Sequence, residues 1–186
     1  MHAGAVERLE RRRMSLEEFD ALPDDVRAEY SRGVAIVSPP ARHSHQALGG
    51  RLVRLLGSAL PGCEVFQEGG LHTGGDGRRI PDVLVMPQID DRVWSEQIPL
   101  LIVEILSPST RSEDTLRKPQ EYARIGVPYF WVVDREAAMI TMLAHNGEGW
   151  DITAELTADH GATDVALGDH GAVRVDVAAL LDGLPG

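Results

Sequence analysis

The sequence predicts a mixed α/β (α+β) fold, with a central β-sheet of mixed strand direction flanked by helices. Short apolar runs bounded by turn residues are typical of buried strands. Apolar residues recur at helical spacing over residues 48–59, and a strand, a helix and a strand follow one another between residues 100 and 133. That order favours a parallel crossover. With 186 residues and 43% apolar content, the chain can form one domain with a substantial core.

The N-terminal region is expected to divide at residue 15. Residues 1–14 contain four arginines and no apolar stretch behind them, so we expect a flexible arm and not a secretory signal. Ser15 and Glu18 have the spacing of a capping box, which predicts a helix that ends near Pro23. The domain is therefore expected to span residues 15–186.

The remaining elements follow from apolar runs and turn residues. The predicted strands cover residues 34–37, 64–67, 79–86, 100–106, 129–133, 138–143 and 150–153; the predicted helices cover 48–59 and 113–125, and 173–181 form a strand and a helical turn. Gly126 is expected to end the helix over residues 113–125. Residues 69–77 are rich in glycine but lack the features of a phosphate-binding loop, so we expect the long loop of a hairpin. Residues 155–169 contain four carboxylates and no Lys or Arg, which indicates a solvated loop or edge.

Composition and motifs exclude several classes of protein. The net charge of −11 argues against a protein that coats nucleic acid, but not against an enzyme with a local basic groove. The single Cys63 cannot form an internal disulfide, and no apolar run approaches the roughly 20 residues of a membrane span. We therefore expect a cytoplasmic protein without membrane contact. The chain also lacks a G-x-S-x-G elbow and clustered Cys and His ligands, which excludes a serine hydrolase and a zinc site.

Glu104 is the residue that is hardest to explain as purely structural. It lies in the middle of the apolar run 100–106. A carboxylate in a buried strand must bind a metal or pair with a cation, since burying it unpaired costs several kcal/mol. We expect a metal-binding or catalytic role, with an ion pair to an arginine or an exposed face of the strand as the alternatives.

Asp82 and Lys118 complete a candidate active site. Asp82 follows Pro81 and precedes an apolar run, so the proline is expected to begin a strand or a bulge that directs the next side chain. Lys118 is the only lysine, beside 17 arginines. Two carboxylates that hold a divalent ion, with one ammonium near the water or phosphate, suffice to hydrolyse a phosphodiester.

Lys118 has a simpler alternative interpretation. Asp114 precedes it by four residues, which is the spacing of an ordinary salt bridge on a helix surface. Pro119 disfavours a helical conformation at Lys118, so the regular helix is expected to begin near this point with Lys118 directed toward the strand ends.

Together these residues resemble the Uma family of restriction endonucleases, which belongs to the PD-(D/E)XK nuclease superfamily. The resemblance rests on Pro81-Asp82, on residues 103–110 (VEILSPST), on Asp114, Lys118 and Tyr122, and on residues 126–134 (GVPYFWVVD). Residues 29–33 are similar to the family's Tyr-Glu-x-x-Asp-Gly segment, although Arg32 replaces its Asp, and His45 leads the following helix as it does there. The similarity covers roughly residues 15–143.

The resemblance implies a restriction-endonuclease-like core and a catalytic site. Asp82, Glu104 and the backbone carbonyl of Ile105 would hold Mg²⁺ or Mn²⁺, and Glu29 would lie near the same cleft. The superfamily lysine two residues after the acid is replaced by Leu106, and Lys118 matches a lysine that the family supplies from the next helix.

Other residues near this site have two interpretations each. His43 and His45 would contact phosphate or act as a base, or else lie exposed at the start of a helix. Tyr122 would hydrogen-bond to Glu104 or to the substrate, or else serve only in packing.

The implied function is metal-dependent cleavage of DNA without an organic cofactor. A homodimer is expected, because cutting both strands of a duplex calls for two sites. The alternative is a catalytically degenerate relative that acts as a binding or regulatory module. The acidic net charge and the absence of lysine at position 106 favour this alternative.

Overall fold

Thirteen strands and four α-helices are formed by residues 9–23, 26–108 and 110–185, which the computed structural model describes. The strands are β1 (Glu10–Arg13), β2 (Ala28–Ser31), β3 (Val34–Val37), β4 (Glu64–Gln67), β5 (Leu71–His72), β6 (Arg78–Arg79), β7 (Val83–Met86), β8 (Leu101–Ile105), β9 (Tyr129–Asp134), β10 (Met139–His145), β11 (Trp150–Thr157), β12 (Thr163–Ala166) and β13 (Ala172–Val175). The helices are α1 (Leu16–Asp20), α2 (His43–Ala59), α3 (Lys118–Arg124) and α4 (Val177–Leu181), with a π-helical turn at Glu113–Arg117 directly before α3. None of these helices is long and apolar enough to cross a membrane.

The central sheet has six strands of mixed direction in the order β11-β10-β9-β8-β7-β4. Strands β8 and β9 are parallel and are joined through the π-helical turn and α3, whereas the other neighbours are antiparallel. The predicted fold class and the predicted crossover are therefore confirmed. A second, antiparallel sheet has the order β1-β3-β2-β6-β5, and β12 and β13 form a separate pair.

The two faces of the central sheet pack against different helices. Val103 and its neighbours on one face pack with the leucines of α2, and Ile102 on the other face packs with Tyr122 of α3. Successive side chains of a strand point to opposite faces, so Glu104 shares the α3 face with Ile102. This alternation brings the carboxylate of the buried strand toward the helix that carries Lys118.

Most of the predicted helices and strands are confirmed, with small shifts at their ends. The Ser15–Glu18 capping box is present at the start of α1. Helix α2 begins at His43, earlier than its apolar spacing indicated. Lys118 begins α3, as Pro119 predicted, and Gly126 follows the helix with a φ of 81°.

The prediction of a flexible arm over residues 1–14 is wrong for residues 10–13. These residues form β1, which pairs with β3 along its whole length. All four side chains are exposed, so no buried apolar face holds this strand. Its backbone pairs with β3, and the Arg11 guanidinium forms a salt bridge with the carboxylate of Glu113. Residues 1–8 lie outside the described residues.

The predicted strand 79–86 is in fact divided between the two sheets. Its start belongs to β6, which pairs with β5 and β2, and its end is β7, which pairs with β4 and β8. The chain passes from one sheet to the other at residues 80–82, where Pro81 has no N–H to donate to a ladder. The predicted antiparallel pairing of residues 64–67 with this region is confirmed by β4 and β7.

Besides β1, three strands that the sequence did not predict are β2, β5 and β12. Strand β5 lies within residues 69–77, which were expected to form only the loop of a hairpin. Strand β2 forms a hairpin with β3, and β12 pairs with β13. Residues 155–169 were expected as a solvated loop or edge. They include the end of the edge strand β11 and all of β12, so only the edge part of that expectation holds.

Candidate active site

Glu104 is buried in β8 with only 1% of its surface exposed, and two partners from α3 meet its carboxylate. The Lys118 ammonium lies 3.1 Å from Glu104 Oε1, and the Tyr122 hydroxyl donates a hydrogen bond of 2.6 Å to the same oxygen. The strand position alternates onto the α3 face, and Lys118 and Tyr122 are four residues apart on one side of the helix. Glu104 therefore faces neither solvent nor an arginine, and Tyr122 both packs and donates to it.

Lys118 is surrounded by carboxylates. Its Nζ lies 3.0 Å from Asp114 Oδ1 and 3.3 Å from Glu29 Oε1, in addition to Glu104. The Asp114 contact has the i, i+4 spacing of the simpler interpretation, but both residues are buried and so the pair is not a surface salt bridge. The π-helical turn places Asp114 on the inner side just before α3 begins.

Asp82 is connected to Glu104 through the backbone of β8. Its Oδ2 accepts a hydrogen bond of 2.7 Å from the N–H of Ile105, and its Oδ1 lies 3.0 Å from Nε2 of His45. His45 is in the first turn of α2, whereas His43 is exposed. The residue after Glu104 thus fixes Asp82 beside the same strand.

Glu29 lies on β2 of the second sheet and contacts the same group. Besides Lys118, its Oε1 accepts a hydrogen bond of 2.8 Å from the N–H of Ile80. The structure therefore brings together Asp82, Glu104, Lys118, Glu29 and Asp114, with His45 and Tyr122 in direct contact with two of them.

Three further charged residues of this cluster were missed by the sequence analysis. Arg79 makes two hydrogen bonds of 2.7 Å to the carboxylate of Glu121, and its Nη1 lies 3.6 Å from Glu113 Oε2. Two signals could have identified them. Arg79 is a charged residue at the start of the predicted strand that contains Asp82, and Glu121 follows Lys118 by three residues on the same side of a helix.

All the buried charged side chains of the described residues belong to this one cluster. The carboxylates are Glu29, Asp82, Glu104, Glu113, Asp114 and Glu121, and the buried cations are Arg79 and Lys118. Buried ionisable groups concentrate at functional sites because such sites need perturbed charges. If all were ionised, negative charge would exceed positive charge inside the protein.

The pKa values of the two site carboxylates are shifted in opposite directions. Burial raises the pKa of Glu104 well above its usual range, since Lys118 only partly opposes the effects of burial and of Asp114. Burial also raises the pKa of Asp82, but the hydrogen bond with His45 and the charge of Lys118 outweigh it and lower the net value. The surroundings therefore favour the ionised form more strongly at Asp82 than at Glu104.

Lys118 remains protonated despite its burial. Burial lowers the pKa of the ammonium, but Asp114, Glu104 and Glu29 together raise it well above its usual value. The site thus holds a fixed positive charge next to Glu104.

The cluster opens into a cleft of about 380 Å³. Asp82, Glu104, Asp114, Glu29 and Lys118 line it, together with Arg27, Arg42 and Arg135. The Arg135 guanidinium donates to the hydroxyl of Ser44 at the start of α2. Carboxylates at the floor and arginines in the wall give the cleft both signs of charge, which suits a substrate that carries phosphate and a cation together.

The oxygens in this cleft have the chemistry of a magnesium or manganese site. No group of three or more His, Cys, Asp or Glu side chains is arranged to hold a metal within residues 9–23, 26–108 and 110–185. Mg²⁺, however, keeps several waters and commonly binds through one or two carboxylates. Asp82, Glu104 and the carbonyl of Ile105 offer oxygens of that kind, so the chemistry of the residues present is compatible with the ion.

Comparison with known proteins agrees with this architecture. The Uma2 family model, described as "Putative restriction endonuclease", matches residues 16–167. A crystal structure from Anabaena variabilis, described as "a putative nuclease belonging to DUF820", has a TM-score of 0.75 and 18% identity, covering 92% of this chain and 99% of the other. At that identity the likeness shows the fold. No curated protein matches the chain. Because the family model matches most of the chain, this protein belongs to the Uma2 family.

Proposed function

We propose that the protein is a metal-dependent endonuclease that hydrolyses phosphodiester bonds in DNA. The observation that carries the proposal is the contact of Lys118 with Glu104 beside Asp82, at the floor of a cleft and within the cluster that contains every buried charge of the described residues. A restriction endonuclease family and this arrangement of two carboxylates and one ammonium support the same chemistry.

Asp82, Glu104 and the Ile105 carbonyl would hold Mg²⁺ or Mn²⁺. When bound, the ion lowers the pKa of a water and offsets negative charge on the phosphate. The Ile105 N–H and His45 fix the Asp82 carboxylate in its ionised form, and the Tyr122 hydroxyl orients Glu104. Lys118 presents a compact cation to the attacking water or to the phosphate oxygens.

The excess of buried negative charge also supports a bound cation. Six buried carboxylates face two buried cations, and the less buried Arg11 and Arg117 both pair with only one of them, Glu113, while His45 contacts Asp82. A carboxylate without a compensating charge is costly in the interior. A divalent ion would offset this excess and would favour ionised Glu104. The donor atoms and the charge of the site therefore call for the same ligand.

Arginines of the cleft wall supply the contacts to DNA in this proposal. Arg42 is exposed at the first turn of α2, and Arg135 lies half-buried beside it. Guanidinium groups suit phosphate recognition because their planar fork can donate two hydrogen bonds. A protein with a negative net charge can still bind DNA through local cations, because the DNA would contact the cleft and not the whole protein surface.

Nicking of a supercoiled plasmid tests the proposal. With Mg²⁺ or Mn²⁺ we expect open-circular and then linear product from the wild type, and none with EDTA. Asp82→Ala and Glu104→Gln should each abolish nicking. Arg174→Ala is the matched control, since Arg174 pairs with Asp164 on the exposed β12–β13 hairpin outside the cleft. Nicking by both site variants at the wild-type rate would exclude this site as the source of activity.

A second candidate function is a binding or regulatory module with a degenerate site. It is favoured by the internal contacts of the two carboxylates, because Glu104 is engaged by Lys118 and Tyr122 and Asp82 by His45 and Ile105. In that case the protein would bind DNA or a partner with no dependence on metal. Absence of nicking together with metal-independent DNA binding would favour this module.

A further inference from the structure

Arg79 has a guanidinium that is fully buried yet stays outside the cleft. Its exposed surface is 0%, and it does not belong to the residues that line the cleft. A residue in this place does not touch a substrate in the cleft. Any effect on the reaction must pass through its neighbours.

The neighbours of Arg79 come from elements that carry site residues. Glu121, on α3 three residues after Lys118, receives two hydrogen bonds of 2.7 Å from Arg79, and Ser31 and Thr73 donate to the same carboxylate. Glu121 therefore has a fixed position, and its pKa is lowered because these hydrogen bonds outweigh its burial. Arg79 thereby connects α3 to β6, the strand that ends three residues before Asp82.

Glu29 provides the second connection. Arg79 Nη1 donates to Glu29 Oε2 at 3.4 Å, while Glu29 Oε1 accepts from the N–H of Ile80 at 2.8 Å and lies 3.3 Å from Lys118 Nζ. One carboxylate thus joins Arg79, the ammonium of Lys118 and the segment that leads into Asp82. Arg79 contacts Glu29 on β2 and Glu121 on α3 from its own place on β6.

We propose that Arg79 is a positioning residue of the catalytic centre. Acting through Glu29 and Glu121, it holds Lys118 against Glu104 and fixes the segment 80–82 that presents Asp82. The inference rests on the proposed nuclease function. It assigns to Arg79 and Glu121 a role that the contacts of the cleft alone do not show.

A purely stabilising role makes a different prediction. Replacing a buried ion pair by apolar side chains of similar size is often neutral for stability, whereas removing one partner alone is strongly destabilising. Arg79→Met alone leaves Glu121 without its cation and leaves Glu29 with Lys118 only, and this variant can fail to fold. The double variant Arg79→Met/Glu121→Met removes the pair together, and it separates folding from positioning.

The single lysine allows the position of Lys118 to be measured without activity. Lysine labelled with ¹³C at Cε and ¹⁵N at Nζ gives one side-chain signal from this chain, because Lys118 is the only lysine. We expect the double variant to unfold cooperatively with a shifted or broadened Lys118 signal. Its nicking kcat should fall roughly 100-fold with a smaller change in KM, as expected when a reacting group is misplaced.

Arg51→Met is the matched control. Arg51 also uses its guanidinium structurally, donating hydrogen bonds of 2.7 Å to the carbonyls of Leu180 and Asp182. It should lower stability and leave both the Lys118 signal and nicking unchanged. Arg79→Lys keeps the charge but not the two hydrogen bonds to Glu121. Compared with Arg79→Met, it should recover folding more fully than it recovers nicking activity.

The outcomes separate the two proposals. A folded double variant with a wild-type Lys118 signal overturns the positioning role, whether or not the protein cuts DNA. A displaced signal with unchanged kcat also overturns it. If the wild type does not nick DNA, the nuclease proposal fails by itself, and the lysine signal still decides whether Arg79 fixes Lys118.

Discussion

Lys118 reaches Glu104 from a helix, whereas the strand position two residues after Glu104 is occupied by Leu106. The ammonium nevertheless contacts the same carboxylate at hydrogen-bond distance. Three carboxylates surround it, which explains why a cation with a flexible stem is tolerated in the interior. The proposed chemistry requires Nζ at this place and does not require a particular element to supply it.

Lys118→Arg is therefore expected to be inactive although it keeps the charge. A guanidinium is larger and planar, and it cannot occupy the place of a compact ammonium among Glu29, Glu104 and Asp114. We expect nicking to fall by about 10²–10³-fold, the usual cost of losing one group that stabilises the transition state. Plasmid nicking and circular dichroism of this variant measure the loss and the retention of the fold. Activity within a factor of about three of the wild type would contradict a positional role.

Glu104→Gln is expected to stabilise the metal-free protein while it abolishes nicking. Burial raises the pKa of Glu104 in the folded state. The stability linked to its proton is present in full below the ordinary glutamate pKa and is lost as the pH rises through the folded value. Glutamine does not titrate, so the advantage of the variant in free energy of unfolding should grow with pH in this range.

Urea unfolding of both proteins in EDTA, at a series of pH values, measures this difference. If the free energy of unfolding of the wild type instead increased relative to that of the variant as the pH rises, the fold would stabilise ionised Glu104. That result would contradict a raised pKa. Glu121→Gln is a useful comparison, because the pKa of Glu121 is lowered by its hydrogen bonds with Arg79 and the opposite pH trend is expected.

The π-helical turn determines which side chains of residues 113–118 face the protein interior. Glu113 and Asp114 are both buried within it, and Lys118 follows as the first residue of α3. Single π-turns are frequent at functional sites because they change the register of a helix. Here the turn presents two adjacent carboxylates and, one turn later, the lysine to the same interior.

The β2–β3 hairpin contains a testable strain. Its two turn residues, Arg32 and Gly33, have φ values of 52° and 77°, and a left-handed conformation is costly for arginine. Arg32→Asn should therefore raise the free energy of unfolding by about 1 kcal/mol, because asparagine tolerates this region. Thermal denaturation measures the change, and Arg32→Val should act in the opposite direction. Equal stability of the two variants would contradict a strained turn.

Helices and strands with an apolar sequence pattern were predictable, whereas those held by contacts with distant parts of the chain were not. The strand around Glu104 and the start of α3 at Pro119 followed from the sequence, as did the approach of Lys118 to the strand ends. Strand β1 has four exposed side chains and no alternation, and it is explained by its pairing with β3 and by the salt bridge of Arg11 with Glu113. The buried pair of Arg79 and Glu121 depends on two sheets meeting, which no local pattern contains.

For the proposed binding of DNA, the distribution of charge over the molecule matters more than the net charge. The net charge is −11, yet Arg42 and Arg135 lie in the cleft wall above the carboxylates. Arg135→Ala should weaken binding to a labelled duplex and reduce the salt dependence of that binding by about one phosphate contact. Fluorescence anisotropy at several salt concentrations, with Arg174→Ala as control, measures both. Unchanged affinity and slope would place the DNA elsewhere.

The proposed cleavage of both DNA strands also predicts an assembly. Two sites are needed for a duplex, and two-fold symmetry is the commonest arrangement of identical chains. Light scattering of the complex with duplex is therefore expected to give the mass of the duplex plus twice the 20.3 kDa of one chain. A monomer that only nicks, and never produces linear plasmid directly, would argue against a dimeric enzyme.

The most direct test of a metal-dependent site is a calorimetric titration of Mn²⁺ into the wild type, Asp82→Ala, Glu104→Ala and Lys118→Met. We expect binding by the wild type, loss of binding in both carboxylate variants, and binding that is retained without the lysine. Absence of binding by the wild type at millimolar Mn²⁺ would contradict a metal-dependent site at Asp82 and Glu104.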